Sequence, residues 1–363
     1  LEQILTKKQA LIGKEYDDLV ETIVAVGEKP FRAKQLWHYI YEKGIKNFDD
    51  MTSLSKSFRE LLNEKFHLNR LRIVNQQEAS DGTIKFLFAL ADGKEIETVY
   101  IPNAERGTLC ISSQVGCNMG CTFCHTGTQP MVRNLTSEEI ILQVMSVKDI
   151  YNDYTREEEK RVVGNIVYMG MGEPLQNYKE VLKSLYLLNH NEGLAISKRK
   201  ITISTCGIIP KIEQLAKDMA VNLSISLHSP TDEKRLEIMP INANYNIEEL
   251  LKVLKFYYDS SNAKKVTLVY VMLKDFNDSD EDAHKLAHLA KGLPVKFNLI
   301  PFHPWDGCSF ESSSNNRIKA FADILCSYGF TAPVRTTRGD DIMAACGQLK
   351  SQTKKILKNN YVS

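Results

Sequence analysis

Apolar positions near the start of the chain recur at helical spacing. Leu19, Val20, Ile23 and Val24 make one face, and Leu36, Trp37, Tyr39, Ile40 and Tyr41 make a second, so residues 1 to about 70 are predicted to be helical. Between them, in Lys29-Pro30-Phe31-Arg32-Ala33-Lys34-Gln35, Pro30 can open a helix. From about 71 to 101 the period changes to two. Phe86, Phe88 and Leu90 alternate, Asp92-Gly93 supplies a turn, and Ile96, Val99 and Ile101 resume, which predicts a β-hairpin linker. Beyond it, short apolar runs alternate with helical stretches. The strands expected are Leu109-Ser112, Ile166-Met169, Ile201-Ser204, Leu223-Leu227, Val266-Met272, Phe297-Ile300 and Pro333-Arg335. Thr136 and Glu139 form a capping box ahead of Ile140-Ile141-Leu142, and Val181, Leu182, Leu185 and Leu188 make an apolar stripe.

This alternation argues for βα units on a parallel sheet. About six units fall short of a closed eight-stranded barrel, so the expected fold class is α/β, a partial (β/α)6 barrel with a small N-terminal helical domain. The expected division is 1–70 helical, 71–101 hairpin, 102–349 core and 350–363 a basic tail. Chemistry is expected at the C-terminal ends of the parallel strands.

Composition narrows the class. The chain has 363 residues, of which 43% are hydrophobic and 25% charged, as in an ordinary globular protein. No apolar run reaches membrane-spanning length and no leader pattern is visible, although the start at Leu1 suggests that a few natural residues precede it. Eight cysteines without an export signal fit a reducing cytoplasm, where thiols serve metals and catalysis. A net charge of +1 neither requires nor excludes nucleic acid, and nothing demands more than a monomer.

Cys117, Cys121 and Cys124 stand in a C-x3-C-x2-C run. Three thiolates this close can hold three irons of a [4Fe-4S] cluster and leave the fourth iron open, where electron-transfer clusters use four cysteines. The competing reading is a structural zinc with His125 or Cys110 as fourth ligand, but the distant second pair usual for such sites is missing. A second signal, Met169-Gly170-Met171-Gly172-Glu173-Pro174, follows an expected strand. Its glycines let backbone approach a ligand, and Glu173 can accept hydrogen bonds from an ammonium group. Beside an open cluster iron this suits S-adenosylmethionine, whose amino and carboxylate groups would chelate that iron, leaving Gly172 and Glu173 to hold the amino acid.

With these stretches the chain resembles the radical S-adenosylmethionine superfamily and, within it, the RlmN group of RNA adenine C2-methyltransferases in the RlmN/Cfr family. Further matching segments are Lys29-Pro30-Phe31-Arg32-Ala33, Glu97-Thr98-Val99-Tyr100-Ile101-Pro102, Cys110 through Cys117, Ser226-Leu227-His228, Arg338-Gly339-Asp340-Asp341 and Ala344-Ala345-Cys346-Gly347-Gln348-Leu349, so the likeness runs nearly end to end. The resemblance implies one [4Fe-4S] cluster, two S-adenosylmethionine molecules per turnover, and adenine substrates in 23S rRNA at the peptidyl-transferase centre and in tRNA beside the anticodon. It also implies an electron donor, flavodoxin-type or similar.

The resemblance further implies residue roles. Cys346 would be methylated by one S-adenosylmethionine; a 5'-deoxyadenosyl radical from a second would activate that methyl group, which then adds to carbon 2 of adenine as a covalent RNA-protein adduct. Glu97 would take the adduct's proton, and Cys110 would form a disulfide with Cys346 to release the product. Ser204, Ser226, Leu227, His228 and His303 match cofactor contacts. On residue type alone Glu97 would be solvated charge, Cys110 a strand-core thiol and Cys346 an inert one. Cys206, Cys308 and Cys326 match no role.

Three positions depart from the pattern: His303 stands where relatives often carry asparagine, Met343 where an acidic residue is common, and His125 where small residues are frequent. Phosphate contacts are expected among Arg32, Lys34, Lys198, Arg199, Lys200, Lys350, Lys354, Lys355 and Lys358, each with a solvated surface as the plainer reading. The target base must leave its stack to reach Cys346. Two other functions compete: a Cfr-like carbon 8 methyltransferase, which the Arg338-Gly339-Asp340-Asp341 run and the Lys29-Pro30-Phe31 region disfavour, and a zinc-stabilised RNA-binding module without catalysis.

Overall fold

The structure is a computed structural model that describes residues 8–104, 106–261 and 266–349. The basic segment expected over 350–363, including Lys350, Lys354, Lys355 and Lys358, lies outside the described residues.

Nine strands lie side by side in the order in which the chain makes them. Six of these are mutually parallel: Gly107–Cys110, Val163–Tyr168, Ile201–Thr205, Asn222–Ser226, Val266–Met272 and Val295–Pro301. They are the six units legible in the alternation of the sequence. Val266–Met272 is buried at six of its seven positions, as a strand with a helix layer on one face and a filled interior on the other must be. Antiparallel strands extend the sheet beyond Gly107–Cys110. Glu95–Ile101 and Ile84–Ala89 are the expected hairpin, and Arg72–Glu78, inside the span expected to be strand-like, adds a third strand to it. It is exposed at every position and broken by a register shift between Ile73 and Asn75, so it carries no alternation to read. The expected strand Pro333-Arg335 is reduced to one bridge, Val334 to Leu299, because Pro333 has no N–H to give.

Helices return the chain between the parallel strands. Ser137–Ile150 opens on the expected box, with Thr136 Oγ1 accepting from the Glu139 N–H at 3.2 Å and Glu139 Oε2 accepting from the Thr136 N–H at 3.0 Å. Tyr178–Asn189 buries Val181, Leu185 and Leu188. Near the N-terminus, Tyr16–Ala25, Phe31–Trp37 and Lys56–Lys65 are helical, and Pro30 directly precedes the second. Their buried residues join the continuous core that lies against the sheet. Trp37 packs on Tyr41 and on His190, at centroid distances of 4.5 and 4.7 Å, and Arg70 Nε donates to Asp149 Oδ2 at 2.8 Å. Among the described residues, no helix is long and apolar enough to cross a membrane.

Candidate active site

All six parallel strands point their C-terminal ends at one region, and a cavity opens there. Its wall includes Tyr168, Met169 and Gly170 after one strand, Ser204 and Thr205 at the end of the next, then Ser226, Val271 and Ile300. Cys117, Cys121 and Cys124 complete it from a loop. That loop is held by the two-residue pair Gln114–Val115 and Arg133–Asn134. Gly116 turns it with φ +79°, where an added Cβ would come within 2.2 Å of the Pro130 carbonyl oxygen, so only glycine fits.

The three thiols are close enough to resist one another's ionisation. Burial, the larger effect, pushes Cys117 up to about 11 and raises Cys121 and Cys124 as well. Metal would therefore displace protons on binding. The three thiols share one cavity wall, and each cysteine of an iron-sulfur cube binds its own iron, so this donor set fits three corners of a cube.

Beside the thiols, Gly172 has φ +97°, and a Cβ there would meet the Gln114 side chain at 2.5 Å. Gln114 uses this closeness, accepting the Glu173 N–H on Oε1 at 2.8 Å. The Glu173 carboxylate is buried in the wall. Its Oε1 accepts from the Leu175 N–H and its Oε2 from the Cys206 N–H, each at 2.9 Å. Burial raises its pKa, while these backbone bonds pull it down. Two carboxylate oxygens offer about four lone-pair sites, so capacity remains for a ligand ammonium.

His228 holds φ +59°, a left-handed conformation that costs energy in any residue with a Cβ. Its Nδ1 accepts the Val271 N–H at 3.0 Å, which places the ring proton on Nε2. Burial, and next the nearby Arg235, hold the imidazole down to about 3, so it is neutral and available as a donor. Arg235 is itself almost fully buried. Its guanidinium donates to Leu227 O at 3.1 Å, to Cys206 O and Asn242 Oδ1 at 2.7 Å, and to Ser226 O at 3.2 Å, tying together the ends of two strands. Arg235→Ala is expected to cost about 3 kcal/mol, because hydrogen bonds to a charged group are worth roughly 1.5–3 kcal/mol each and buried carbonyls are left unpaired. Urea unfolding checks this; a loss below about 1 kcal/mol would refute the clamp.

Cys346 sits at a rim. It lines the cavity and also a second, smaller cleft formed by His303, Arg335, Thr337, Arg338, Ala344 and Ala345. Its thiol is exposed, and it lies within electrostatic reach of both Cys124 and Cys110. Cys110, at the end of Gly107–Cys110, is buried and pushed up to about 12, first by burial and then by Cys346, with Arg335 pulling the other way.

Of the residues expected to hold S-adenosylmethionine, Gly172, Glu173, Ser204, Ser226 and His228 line the cavity. Two do not. The Leu227 side chain is fully buried in the core, its N–H donating to Val269 O at 3.0 Å. His303 faces the second cleft, with Nδ1 2.9 Å from Asp340 Oδ1. Glu97 is not the solvated charge its residue type suggests: it is buried and paired at 3.4 Å with Lys85, whose Nζ also donates to Met343 O at 3.3 Å. All eight cysteines are free thiols. Sequence reasoning passed over Met119, Cys206, Asn298 and Arg335, all on the cavity wall. Position just after a strand was the one available signal, and it applies to Cys206. Of the expected phosphate contacts, Lys34 pairs with Glu192 at 2.8 Å and Arg32 with Glu28 at 3.8 Å, while Lys198–Lys200 form an outward 3-10 turn.

Comparison with known proteins gives a consistent result. The radical SAM superfamily matches residues 111–287, and the ribosomal RNA large subunit methyltransferase N-terminal domain matches residues 9–68. A dual-specificity RNA methyltransferase RlmN of Dinoroseobacter shibae is 46% identical over 97% of this chain and 92% of its own length. One from Rhodospirillum rubrum is 49% identical over 94% of this chain and 80% of its own. The crystal structure of a radical SAM methyltransferase from Sphaerobacter thermophilus superposes with a TM-score of 0.88 at 40% identity, covering 94% of this chain and 99% of that one.

Proposed function

The chain belongs to the RlmN family of radical SAM methyltransferases, and from that premise we propose that it methylates carbon 2 of adenine in 23S rRNA and in tRNA. One observation carries the reading: Cys346 lines both the cofactor cavity and the adjoining cleft, and it lies within electrostatic range of Cys124 and of Cys110. A methyl carrier needs such a position, since it must load on one side and deliver on the other.

In this reading Cys117, Cys121 and Cys124 hold one [4Fe-4S] cluster, and Gly172, Glu173, Ser204, Ser226 and His228 hold S-adenosylmethionine. Together these cofactors supply the methyl group and the radical initiation that an electron-poor ring carbon requires, with two S-adenosylmethionine molecules used per turnover. The chain's own residues do the rest. The Cys346 sulfur carries the methyl carbon to the adenine presented in the second cleft, where Arg335 and Arg338 can meet the flanking phosphates. Glu97 takes the proton lost from the ring, and the adduct's unpaired electron passes back to the electron-transfer partner that supplied it, leaving a closed-shell thioether. Cys110 then attacks the Cys346 sulfur: a sulfur–sulfur bond forms, the sulfur–carbon bond breaks, and its electron pair leaves with the carbon, which a proton completes as a methyl group. The helices before residue 70 and the outward Lys198–Lys200 turn serve RNA docking, a flavodoxin-type protein supplies electrons, and the enzyme works as a cytoplasmic monomer.

Anaerobic reconstitution is expected to give broad visible absorbance and about four irons per chain. One zinc and no iron would replace this reading with a structural zinc module. Nucleoside mass spectrometry of ribosomal RNA and tRNA from a complemented knockout is expected to restore 2-methyladenosine; 8-methyladenosine alone would overturn the carbon 2 assignment.

A further inference from the structure

The residue after the third cavity cysteine binds the cysteine loop to the segment that carries Cys346. The His125 ring lies flat on Trp305, with centroids 4.8 Å apart and planes 8° from parallel. The His125 N–H donates to Gly347 O at 2.7 Å, its Nδ1 lies 3.2 Å from Gln348 O, and Thr126 Oγ1 donates to Leu349 O at 2.6 Å. A carbonyl beside Nδ1 requires the proton to be on that nitrogen. Trp305 is tied back in turn, its indole N–H donating to Phe123 O at 3.1 Å. Gln348 braces the other side, accepting the Ala345 N–H on Oε1 at 3.2 Å and donating from Nε2 to Pro304 O at 3.4 Å.

Within this stitched segment Ala344, Ala345, Gln348 and Leu349 are buried, while Cys346 alone is exposed. Met343 and Gly347 bracket it in left-handed conformations, φ +52° and +86°. For Met343 that backbone is unfavourable and persists only because surrounding contacts hold it. The segment is therefore a short crossing with a hinge point at each end, fastened by its contacts to the cysteine loop and to the turn at Pro304 and Trp305.

We propose that the His125–Trp305 stack is a latch that positions the Cys346 segment, and that its opening governs how readily Cys346 turns from the cofactor cavity to the Arg335 cleft. Both are positioning residues: neither touches a reacting atom. The ring contact and the hydrogen bond it aligns are individually modest, which suits a device that must release on each cycle. The consequence for turnover rests on reading Cys346 as the methyl carrier; the latch itself is tested on the loop.

In cluster-loaded protein, alkylation of Cys346 by iodoacetamide is followed by peptide mass spectrometry, with exposed Cys326 as internal reference, alongside amide exchange at Ala344 and Gln348. His125→Ala and Trp305→Ala are expected to raise both rates about ten-fold, equivalent to about 1.4 kcal/mol of lost closure. Trp305→Phe, which keeps a ring but not the donor to Phe123, is expected to raise them less. Unchanged alkylation and exchange in both alanine variants overturn the latch. Where either variant loses visible cluster absorbance, Gln348→Leu, outside the cysteine loop, is read instead: a rise of about ten-fold supports the latch and no rise overturns it. A null result here with intact methylation at Cys346 would leave the proposed chemistry standing.

Discussion

Replacing Cys110 with alanine is expected to leave the chain covalently joined to its RNA substrate through Cys346. With the attacking thiol gone, the sulfur–carbon bond has no partner to break it, and adduct accumulates from a trace to about one RNA per chain. The placement supports this: Cys110 is buried at the end of its strand and lies within the electrostatic influence of Cys346. Cys124 is also coupled to Cys346 but lies on the cavity wall. Intact-protein mass after expression with substrate RNA reads the result. Free chain that carries only a methylated Cys346 would remove Cys110 from the release step.

In the unsubstituted enzyme, the decay of that adduct is expected to speed up about ten-fold for each pH unit between 7 and 9. The nucleophile is the thiolate. Burial has pushed Cys110 up to about 12, so the reactive form is scarce at neutral pH and its fraction grows in proportion to hydroxide. Quenching a single-turnover reaction at a series of pH values and weighing the remaining adduct measures the slope. A flat profile would mean that an unseen base ionises Cys110 or that another step limits release. The same raised pKa bears on stability. Below an unfolded thiol pKa of about 8.5 both states are protonated and nothing is lost; above it the unfolded chain ionises first, so this contribution fades as pH climbs toward 12. The release window from 7 to 9 thus lies mostly where the fold is not taxed.

Much of this was legible in the sequence where chemistry and local geometry coincide. The Thr136–Glu139 box, the six parallel strands and the hairpin through Asp92-Gly93 are local, and each formed as its residues dictated. The cysteine run and the Gly172-Glu173 turn were expected to meet at the strand ends, and they line one cavity there, with the close approach at Gly172 that only glycine allows. What was hidden depends on contacts distant in sequence. Glu97 alternates along its strand like a surface residue, but the chain folds the Lys85 and Met343 positions over it. Arg235 reads as an ordinary helix charge; only the closing of two strand ends turns its guanidinium inward. His303 aligns with a cofactor contact, yet Asp340 draws it into the neighbouring cleft. Leu227 follows a strand end, where a cavity residue was expected, but its side chain points to the core while its neighbours Ser226 and His228 take the wall.

The open sheet leaves two bare margins, and an unpaired strand invites pairing with another chain. At one margin Arg72–Glu78 exposes Ile73 and Val74 among polar and charged side chains and loses step between Ile73 and Asn75, so an incoming strand finds no long run of matched partners. At the other, the Leu299 N–H is already taken by Pro333 O and the Leu299 carbonyl by the Arg335 N–H, and the covering segment contains a residue with no proton to donate outward. A fresh copy of the chain, still waiting for its iron, thus meets its siblings with both margins of this sheet blunted against strand addition.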